Sequence, residues 1–146
     1  MAVDAPKPLD LVKMSRAELD ELYKNSPVGK IPDGDSKGIA IIAAGSIFTK
    51  AIAFITKLFI WQGKVFHRDQ SFFLNKATLF RIRIFKGEIY GGNSWFCDGK
   101  ATILDYSKTS FLLRRVREEM REVAPGFYLA QVYWGDKRIS NFTLEF

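Results

Sequence analysis

An acid and a phenol occupy neighbouring positions at the end of a strongly patterned β-type run, Asp105 followed by Tyr106. If both side chains lined one cavity, they could transfer a proton, which is the chemistry of an isomerase or a cyclase. The single histidine, His67, follows Phe66 near a turn and is the third side chain suited to acid–base work. Asp105, Tyr106 and His67 are therefore the candidate catalytic residues. A strand-end aspartate beside a packed tyrosine explains the same pattern without chemistry, so the sequence leaves open whether the chain is an enzyme.

Arginines are concentrated between residues 114 and 121, in a run that also contains two glutamates. A strand over residues 111–117 would place Arg115 and Arg117 on the same face as Phe111. An arginine that points into a barrel needs a partner, and the carboxylate of a ligand would be a natural one. We therefore take Arg117 and Arg115 as candidate ligand-binding residues. The competing interpretation is a solvated face that carries exposed ion pairs.

Aromatic residues make up 14% of the chain and are concentrated between residues 54 and 96. Aromatic rings are the usual walls of a small-molecule pocket, and they also fill ordinary cores. The rings that we expect to line a pocket are Trp61, Phe66, Phe80, Tyr90, Trp95, Tyr128 and Trp134. A core filled by the same rings would instead leave a structural or interaction module.

Length, charge and composition limit the remaining classes of function. A chain of 146 residues suits one domain, and a net charge of +6 suits an acidic partner such as an anionic lipid, a carboxylate or nucleic acid. The basic residues are scattered and no RNA-binding or zinc-finger pattern occurs, so we predict no nucleic-acid partner. One cysteine and one histidine exclude an intrachain disulfide and a multi-histidine metal site. We predict no metal or cofactor, and a cytoplasmic location because residues 1–13 lack an apolar signal region.

The N-terminal part of the chain carries one clear helix signal. Ser15 and Glu18 have the spacing of a capping box, which predicts a helix over residues 16–24 that ends before Pro27. We expect residues 1–14 to be a flexible N-terminus and residues 15–146 to form a single domain.

Residues 46–59 are the most distinctive apolar segment. Polar residues recur on one helical face and Ile, Leu and Phe residues on the other, which predicts an amphipathic helix of about three turns. Lys50 and Lys57 argue against a membrane span. Packing on the protein itself, a lid over a barrel mouth and a weak contact with a membrane surface are the three alternatives for this helix. A short strand is predicted just before it, over residues 38–44.

From residue 63 onward, short β-type runs alternate with turn signals. The pattern predicts a strand over residues 78–85 that turns at Lys86-Gly87, and a bulge or sharp bend at residues 91–93. It also predicts a strand over 94–97 joined to another over 100–106 by an Asp98-Gly99 hairpin. Residues 117–123 look helical, and the final strands cover residues 127–134 and 137–146. About eight strands in an antiparallel meander suit a small closed barrel that holds one ligand.

Three pieces of the chain resemble bacterial calycin-like domains that open with a Gly-x-Trp-x-Gly motif. Residues 34–38, Gly-Asp-Ser-Lys-Gly, keep the glycine spacing, with Ser36 in place of the tryptophan. Residues 61–66, Trp-Gln-Gly-Lys-Val-Phe, are similar to the Trp-x-Gly-Lys-x-Phe of those domains, and residues 141–146 resemble their last strand. The resemblance implies a calycin-like barrel of the lipocalin and fatty-acid-binding kind, whose interior binds apolar molecules. It carries over no catalytic residue.

The sequence therefore predicts a mainly β, calycin-like barrel with an N-terminal helix and an amphipathic helix. Its predicted function is to bind a hydrophobic small molecule, either a lipid or an acidic apolar metabolite. A cofactor-free isomerase or cyclase that acts by proton transfer on a polyketide, terpenoid or lipid-like substrate in the same cavity is the alternative. An interaction module with a filled core is the third. The oligomeric state does not follow from the sequence.

Overall fold

The computed structural model describes residues 7–41, 61–77 and 82–146. In these ranges the chain forms nine antiparallel strands, which curl into a nearly closed barrel, and two short helices. The elements in chain order are α1 (Pro8–Val12), α2 (Arg16–Lys24), β1 (Gly34–Asp35), β2 (Lys37–Ile41), β3 (Gly63–His67), β4 (Phe72–Ala77), β5 (Ile82–Asn93), β6 (Lys100–Asp105), β7 (Val116–Ala124), β8 (Phe127–Trp134) and β9 (Lys137–Glu145). The predicted mainly β barrel is confirmed.

Residues 34–41 close the barrel by pairing with strands on both sides. β1 pairs with β3 and β2 pairs with β9, which gives the sheet order β1-β3-β4-β5-β6-β7-β8-β9-β2. Ser36 lies between β1 and β2, and its backbone N–H donates to the carbonyl oxygen of Lys64 at 3.1 Å. Its hydroxyl also donates to that oxygen, at 2.6 Å. If β1 and β2 are counted as one bent strand, the barrel has the eight strands that the sequence predicts.

Two glycines allow the bent strand to cross close to β3. Gly63 has a φ of +131°, and a Cβ atom there would lie 2.6 Å from the carbonyl oxygen of Ser36. A Cβ atom on Gly38 would overlap the ring of Trp61. Glycine is therefore required at both positions by the closeness of the two strands, and at Gly63 also by its backbone conformation. Both residues belong to the sequence pieces that resemble calycin-like domains.

The inside of the barrel holds the main apolar core. Alternate residues of each strand point inward, as expected for a sheet with one buried face. The buried apolar side chains of this core are Phe66, Phe73, Ile89, Leu104, Tyr106, Met120, Tyr128, Ala130, Phe142 and Leu144.

Helix α2 covers part of the outer face of the barrel. Ser15 caps it as predicted, because its hydroxyl accepts the backbone N–H of Glu18 at 3.1 Å. Leu19 and Tyr23 pack against Phe127 and Leu129 in a second apolar cluster. Leu11 of α1 is fully buried in the same cluster. Residues 8–12, which the sequence predicts to lie in a flexible segment, therefore form a helix that packs on the barrel.

The predicted breaks around β5 are wrong. No turn occurs at Lys86-Gly87, since β5 runs without interruption from Ile82 to Asn93. Residues 91–93 form neither a bulge nor a bend, since they pair in regular register with β6. The chain accommodates the glycine and lysine by a local irregularity, in which Phe85 takes a φ of +55° and the register against β4 shifts. Residues 94–99, predicted as a strand and a two-residue hairpin, instead form the loop between β5 and β6.

The structure predicted for the charge-rich residues 111–123 is also wrong. Residues 117–123 are not helical but lie in β7, and residues 111–115 are a loop and not a strand. Alternation along β7 turns Glu118 and Met120 inward, and Arg117, Glu119 and Arg121 outward. Because each charged side chain of this strand finds a partner on its own face, the charged run is stable as a strand.

The predicted amphipathic helix over residues 46–59 lies outside the described residues, and so does Phe80. The predicted strand over 38–44 is confirmed as far as Ile41, where β2 ends. Among the helices of the described ranges, none is long and apolar enough to cross a membrane.

We predict that Gly63→Ala destabilises the barrel by pushing β1 and β3 apart. The alanine would adopt an unfavourable φ and press against the Ser36 carbonyl, which should lower the free energy of unfolding by about 1–3 kcal/mol. Gly91→Ala is the matched control, because Gly91 has open space around it, and it should change the free energy by less than about 1 kcal/mol. Urea denaturation measures both. Equal effects of the two substitutions would contradict the claim that the close approach of the strands requires glycine at position 63.

Candidate functional site

A cavity opens at the end of the barrel where β8 turns into β9 and where the loop 107–115 joins β6 to β7. We call it the mouth cavity, and its volume is about 180 Å³. Its walls are mostly apolar, and a few polar groups come together in its deepest, fully buried part. The residues that line it are Ala40, Trp61, Lys64, Asn75, Tyr106, Leu113, Val116, Glu118, Val132, Ser140, Asn141 and Phe142.

Lys64 is the centre of the polar groups in this cavity. It is only 2% exposed. Its Nζ atom donates to Asn75 Oδ1 at 2.7 Å, to the hydroxyl oxygen of Tyr106 at 2.8 Å and to Glu118 Oε1 at 3.1 Å. The Tyr106 oxygen also accepts from Asn75 Nδ2, at 2.8 Å. An ammonium group has three N–H donors, and all three are used here. We call these four residues the lysine cluster.

Aromatic rings surround the charge of the lysine cluster. The Nζ atom of Lys64 lies 4.8 Å from the ring centre of Phe73, 5.2 Å from that of Phe142 and 5.7 Å from that of Trp61. The faces of such rings attract a cation, so they partly replace the water that the ammonium group has lost. The ring of Trp61 is itself fixed, because its indole N–H donates to Asn75 Oδ1 at 3.0 Å.

Burial shifts the proton affinities within the lysine cluster. Loss of water lowers the pKa of Lys64, although the negative charge of Glu118 opposes that shift. Burial, and then the charge of Glu118, raise the pKa of Tyr106 well above its usual value. The phenol therefore stays protonated, and the lysine releases its proton more readily than a lysine in water does. Both groups thus have the perturbed proton affinities that are typical of functional sites.

Strand alternation explains how four strands bring the lysine cluster together. In β3, Lys64 lies two residues before the core residue Phe66. Asn75 of the neighbouring strand β4 pairs with Lys64. Glu118 lies two residues before the core residue Met120 in β7. Tyr106 follows the last residue of β6. We did not predict Lys64, Asn75 or Glu118 as site residues, although their even spacing from apolar core residues was a usable signal.

Some of the predicted pocket rings do lie inside the barrel. Trp61 lines the mouth cavity. Phe66 stacks on Phe73 in the core, with ring centres 5.8 Å apart. Tyr128 lies at the opposite end, where its hydroxyl donates to the carbonyl of Lys30 at 2.7 Å. Of the predicted rings in the described ranges, Trp61 is therefore the one that borders this cavity.

Five other predicted residues come together on the outer face, where they line a separate pocket and not the mouth cavity: Tyr90, Trp95, Asp105, Arg115 and Arg117. Tyr90 donates its hydroxyl hydrogen to Asp105 Oδ2 at 2.7 Å. Arg117 lies with its guanidinium carbon 3.9 Å from the ring centre of Trp95. Arg115 is exposed in the loop that precedes β7. The prediction that Arg115 and Arg117 point inward is therefore wrong, because β7 begins only at Val116 and its inward positions are the even-numbered ones.

Asp105, Tyr106 and His67 do not form one acid–base site. Asp105 and Tyr106 are consecutive and point to opposite faces of the sheet, as alternation requires. Burial opposes ionisation of Asp105, but hydrogen bonds from Tyr90 and Ser107 outweigh it and lower its pKa. His67 ends β3 at the opposite end of the barrel and stacks on Phe72 at 4.5 Å. Trp134, at the end of β8, is exposed on the surface.

No group of three or more potential metal ligands occurs among the described residues. The polar atoms of the lysine cluster are one cation, one carboxylate, one amide and one phenol. A cation already occupies the centre of this set, so these residues are poorly suited to hold a metal ion.

A protein from Thermomonospora curvata, known from a crystal structure, has a similar fold. The TM-score is 0.62 at 16% sequence identity, over 90% of this chain and 87% of that chain. No family model matches the chain, and no curated protein does. At this identity the likeness supports the barrel architecture alone, and the resemblance to calycin-like domains stays a prediction in its finer detail.

We predict strong energetic coupling between Lys64 and Glu118. Lys64→Met or Glu118→Leu alone leaves one buried charge without its partner and should cost about 3–5 kcal/mol, whereas the double variant should cost far less than the sum. The control pair is Glu21 and Lys24, which lie 3.6 Å apart on the exposed face of α2. Equivalent substitutions there should cost under about 1 kcal/mol and add up. Additive effects at Lys64 and Glu118 in urea denaturation would contradict a buried ion pair.

The lowered pKa of Lys64 also predicts how stability depends on pH. A lysine whose pKa is lower in the folded state binds fewer protons there, so stability rises with pH up to the unfolded value of about 10.4. Tyr106 adds no slope below about pH 10, since its raised pKa costs stability only above its unfolded value. The wild-type protein should therefore gain stability relative to the Lys64→Met/Glu118→Leu variant as the pH increases from neutral to about 10. A constant or decreasing difference in denaturation experiments would be inconsistent with this.

Proposed function

We propose that the barrel binds a small apolar molecule with one neutral polar group, such as a carbonyl or a hydroxyl. The observation that carries this proposal is the mouth cavity itself, in which apolar walls lead to one buried set of hydrogen-bonding side chains. Trp61, Val116, Val132 and Phe142 offer surfaces for an apolar body. Glu118 offers an acceptor for the polar end, and the Tyr106 hydroxyl, which is hydrogen-bonded to Glu118, would turn its hydrogen to the ligand.

Charge balance favours a neutral ligand over an acidic one. Lys64 and Glu118 form a buried ion pair in which the two charges neutralise each other. All three N–H groups of Lys64 are already taken, and Arg115 and Arg117 lie outside the cavity. A ligand carboxylate would therefore enter as an uncompensated buried charge, which is costly. The charges in the cavity therefore do not support the acidic group predicted for the ligand. The apolar walls still support its apolar body.

The size of the cavity limits the part of the ligand that it encloses. Its 180 Å³ would hold about six water molecules at about 30 Å³ each. That space suits a small molecule, or the polar end of a longer one whose tail leaves through the open mouth. A drug-sized ligand needs a cavity of roughly 300–1,000 Å³ to be enclosed.

Proton transfer in the same cavity is the second candidate function. One observation favours it: Tyr106, Lys64 and Glu118 form a connected set of acid–base groups against the space that a ligand would fill. A carbonyl oxygen near the Tyr106 hydroxyl would be polarised, and Glu118 would accept the proton from the adjacent carbon. This assigns the chemistry of an isomerase to Tyr106 as predicted, but with Lys64 and Glu118 in place of Asp105 and His67.

The binding proposal predicts selectivity between matched ligands. In isothermal titration calorimetry, ketones and alcohols should bind at least about tenfold more tightly than carboxylic acids of the same chain length, because only the acids bring in a charge. Val132→Phe should abolish binding by filling the cavity. Val12→Phe is its matched control, since Val12 is exposed on α1. Tighter binding of the acids, or equal binding by both variants, would overturn the proposal.

The catalytic alternative is tested separately with a bound ketone. Exchange of its α-hydrogens for deuterium, followed by NMR, should be accelerated by the wild-type protein. Glu118→Gln should remove that exchange while leaving the affinity within about threefold of the wild type. Binding of the ketone without accelerated exchange would contradict the catalytic function and support ligand binding alone.

A further inference from the structure

We propose that the loop 107–115, which joins β6 to β7, docks the barrel on a membrane surface that contains anionic lipids. We call residues 107–115 the tip loop. Phe111 and Leu112 are consecutive in it and are 79% and 71% exposed. They are the two most exposed large apolar side chains in the described part of the chain. Apolar side chains presented in this way bind by insertion into the headgroup region of a bilayer.

The tip loop holds these two side chains in the solvent by its own hydrogen bonds. The backbone N–H groups of Thr109 and Ser110 donate to the Tyr106 carbonyl oxygen at 3.2 and 3.0 Å. The N–H of Gly135 donates to the Arg115 carbonyl oxygen at 2.8 Å. Leu113 turns inward and lines the mouth cavity. One apolar residue of the loop is thus used by the core, while Phe111 and Leu112 are directed away from it.

Positive charge lies beside the exposed apolar pair. The loop sequence contains Lys108, Arg114 and Arg115 and no acidic residue. The guanidinium of Arg114 lies 4.9 Å from the ring centre of Phe111, so charge and apolar surface are side by side. At the base of the loop, the hydroxyl of Thr109 donates to the backbone carbonyl of Lys86, which fixes the loop against β5. Exposed apolar side chains with basic residues beside them match a bilayer interior beneath anionic headgroups.

A lipid surface fits this patch better than a macromolecular partner does. A specific protein interface buries about 800 Å² on each side, whereas the apolar part of the tip loop is two side chains wide. Single-stranded nucleic acid needs several open ring faces for base stacking, and the loop offers one ring, which is partly covered by Arg114. Two apolar side chains with a few basic ones suit weak, reversible attachment to a membrane.

Docking by the tip loop would also orient the cavity. Leu113 of the loop and Tyr106 at its base both line the mouth cavity, so a barrel attached through Phe111 and Leu112 has its mouth next to the bilayer. Apolar molecules partition into bilayers, and the mouth would open where they are concentrated. This delivery role rests on the proposed function, whereas the docking itself does not.

The test is co-sedimentation of the full chain with vesicles of phosphatidylcholine alone, and of phosphatidylcholine mixed with phosphatidylserine. The wild-type protein should bind the mixed vesicles at least about tenfold more tightly, and increasing salt should weaken that binding. Phe111→Ser/Leu112→Ser should reduce binding at least about tenfold, and Arg114→Gln/Arg115→Gln should remove the preference for phosphatidylserine.

The matched controls are Val12→Ser/Val28→Ser and Lys13→Gln/Arg16→Gln, which change exposed residues that lie outside the tip loop and do not line the mouth cavity. Both should bind vesicles as the wild type does. Absence of wild-type binding, or equal loss in the tip-loop variants and the controls, would overturn the proposal. Calorimetry with the neutral ligand and no vesicles separates the two proposals, because the tip-loop variants should keep the ligand affinity of the wild type.

Discussion

The ammonium group of Lys64 is removed from water inside the barrel, and its three N–H groups must therefore find acceptors there. Asn75, Tyr106 and Glu118 supply them from β4, from the end of β6 and from β7. A slip of one residue in the pairing of any of these strands would turn its acceptor to the outer face. The lysine cluster consequently fixes the register of four strands at once, and the apolar core can settle only in the arrangement that satisfies it.

Strand β7 supports the site from both of its faces. On the outer face, Glu119 is fully buried and accepts the backbone N–H groups of Trp95 and Phe96 at 3.1 Å, which orders the loop between β5 and β6. Arg121 donates to the carbonyl oxygens of Tyr23 and Lys24 at 3.2 Å, at the end of α2, where a positive charge also suits the helix dipole. On its outer face, β7 thus holds the loop between β5 and β6 and the end of α2. On its inner face, the same strand carries the carboxylate of Glu118.

Residues with a regular pattern could be predicted from the sequence, and residues whose role depends on a distant partner could not. The bounds of α2, β8 and β9 follow from a cap, a proline and a two-residue turn, all of which act within a few residues. The charged run in β7 was misassigned because its local preference is helical, whereas partners far away in sequence stabilise it as a strand. Lys64 was overlooked for a related reason. A lysine in a strand usually faces water, and only the closed barrel shows that position 64 faces Asn75 and Glu118.

Stability alone does not require the lysine cluster. A buried ion pair can often be replaced by well-packed apolar residues without loss of stability, so the fold could have been built with a leucine or a methionine at position 64. The cluster lies where the apolar packing of the barrel gives way to the mouth cavity, and its acid–base groups border that space. A polar set that stability alone does not require, placed where a ligand could reach it, supports the proposed recognition of a ligand in addition to its role in fixing the strand register. The outer cluster of Tyr90 and Asp105 differs in that it borders a separate pocket on the outer face and makes its hydrogen bond at the surface.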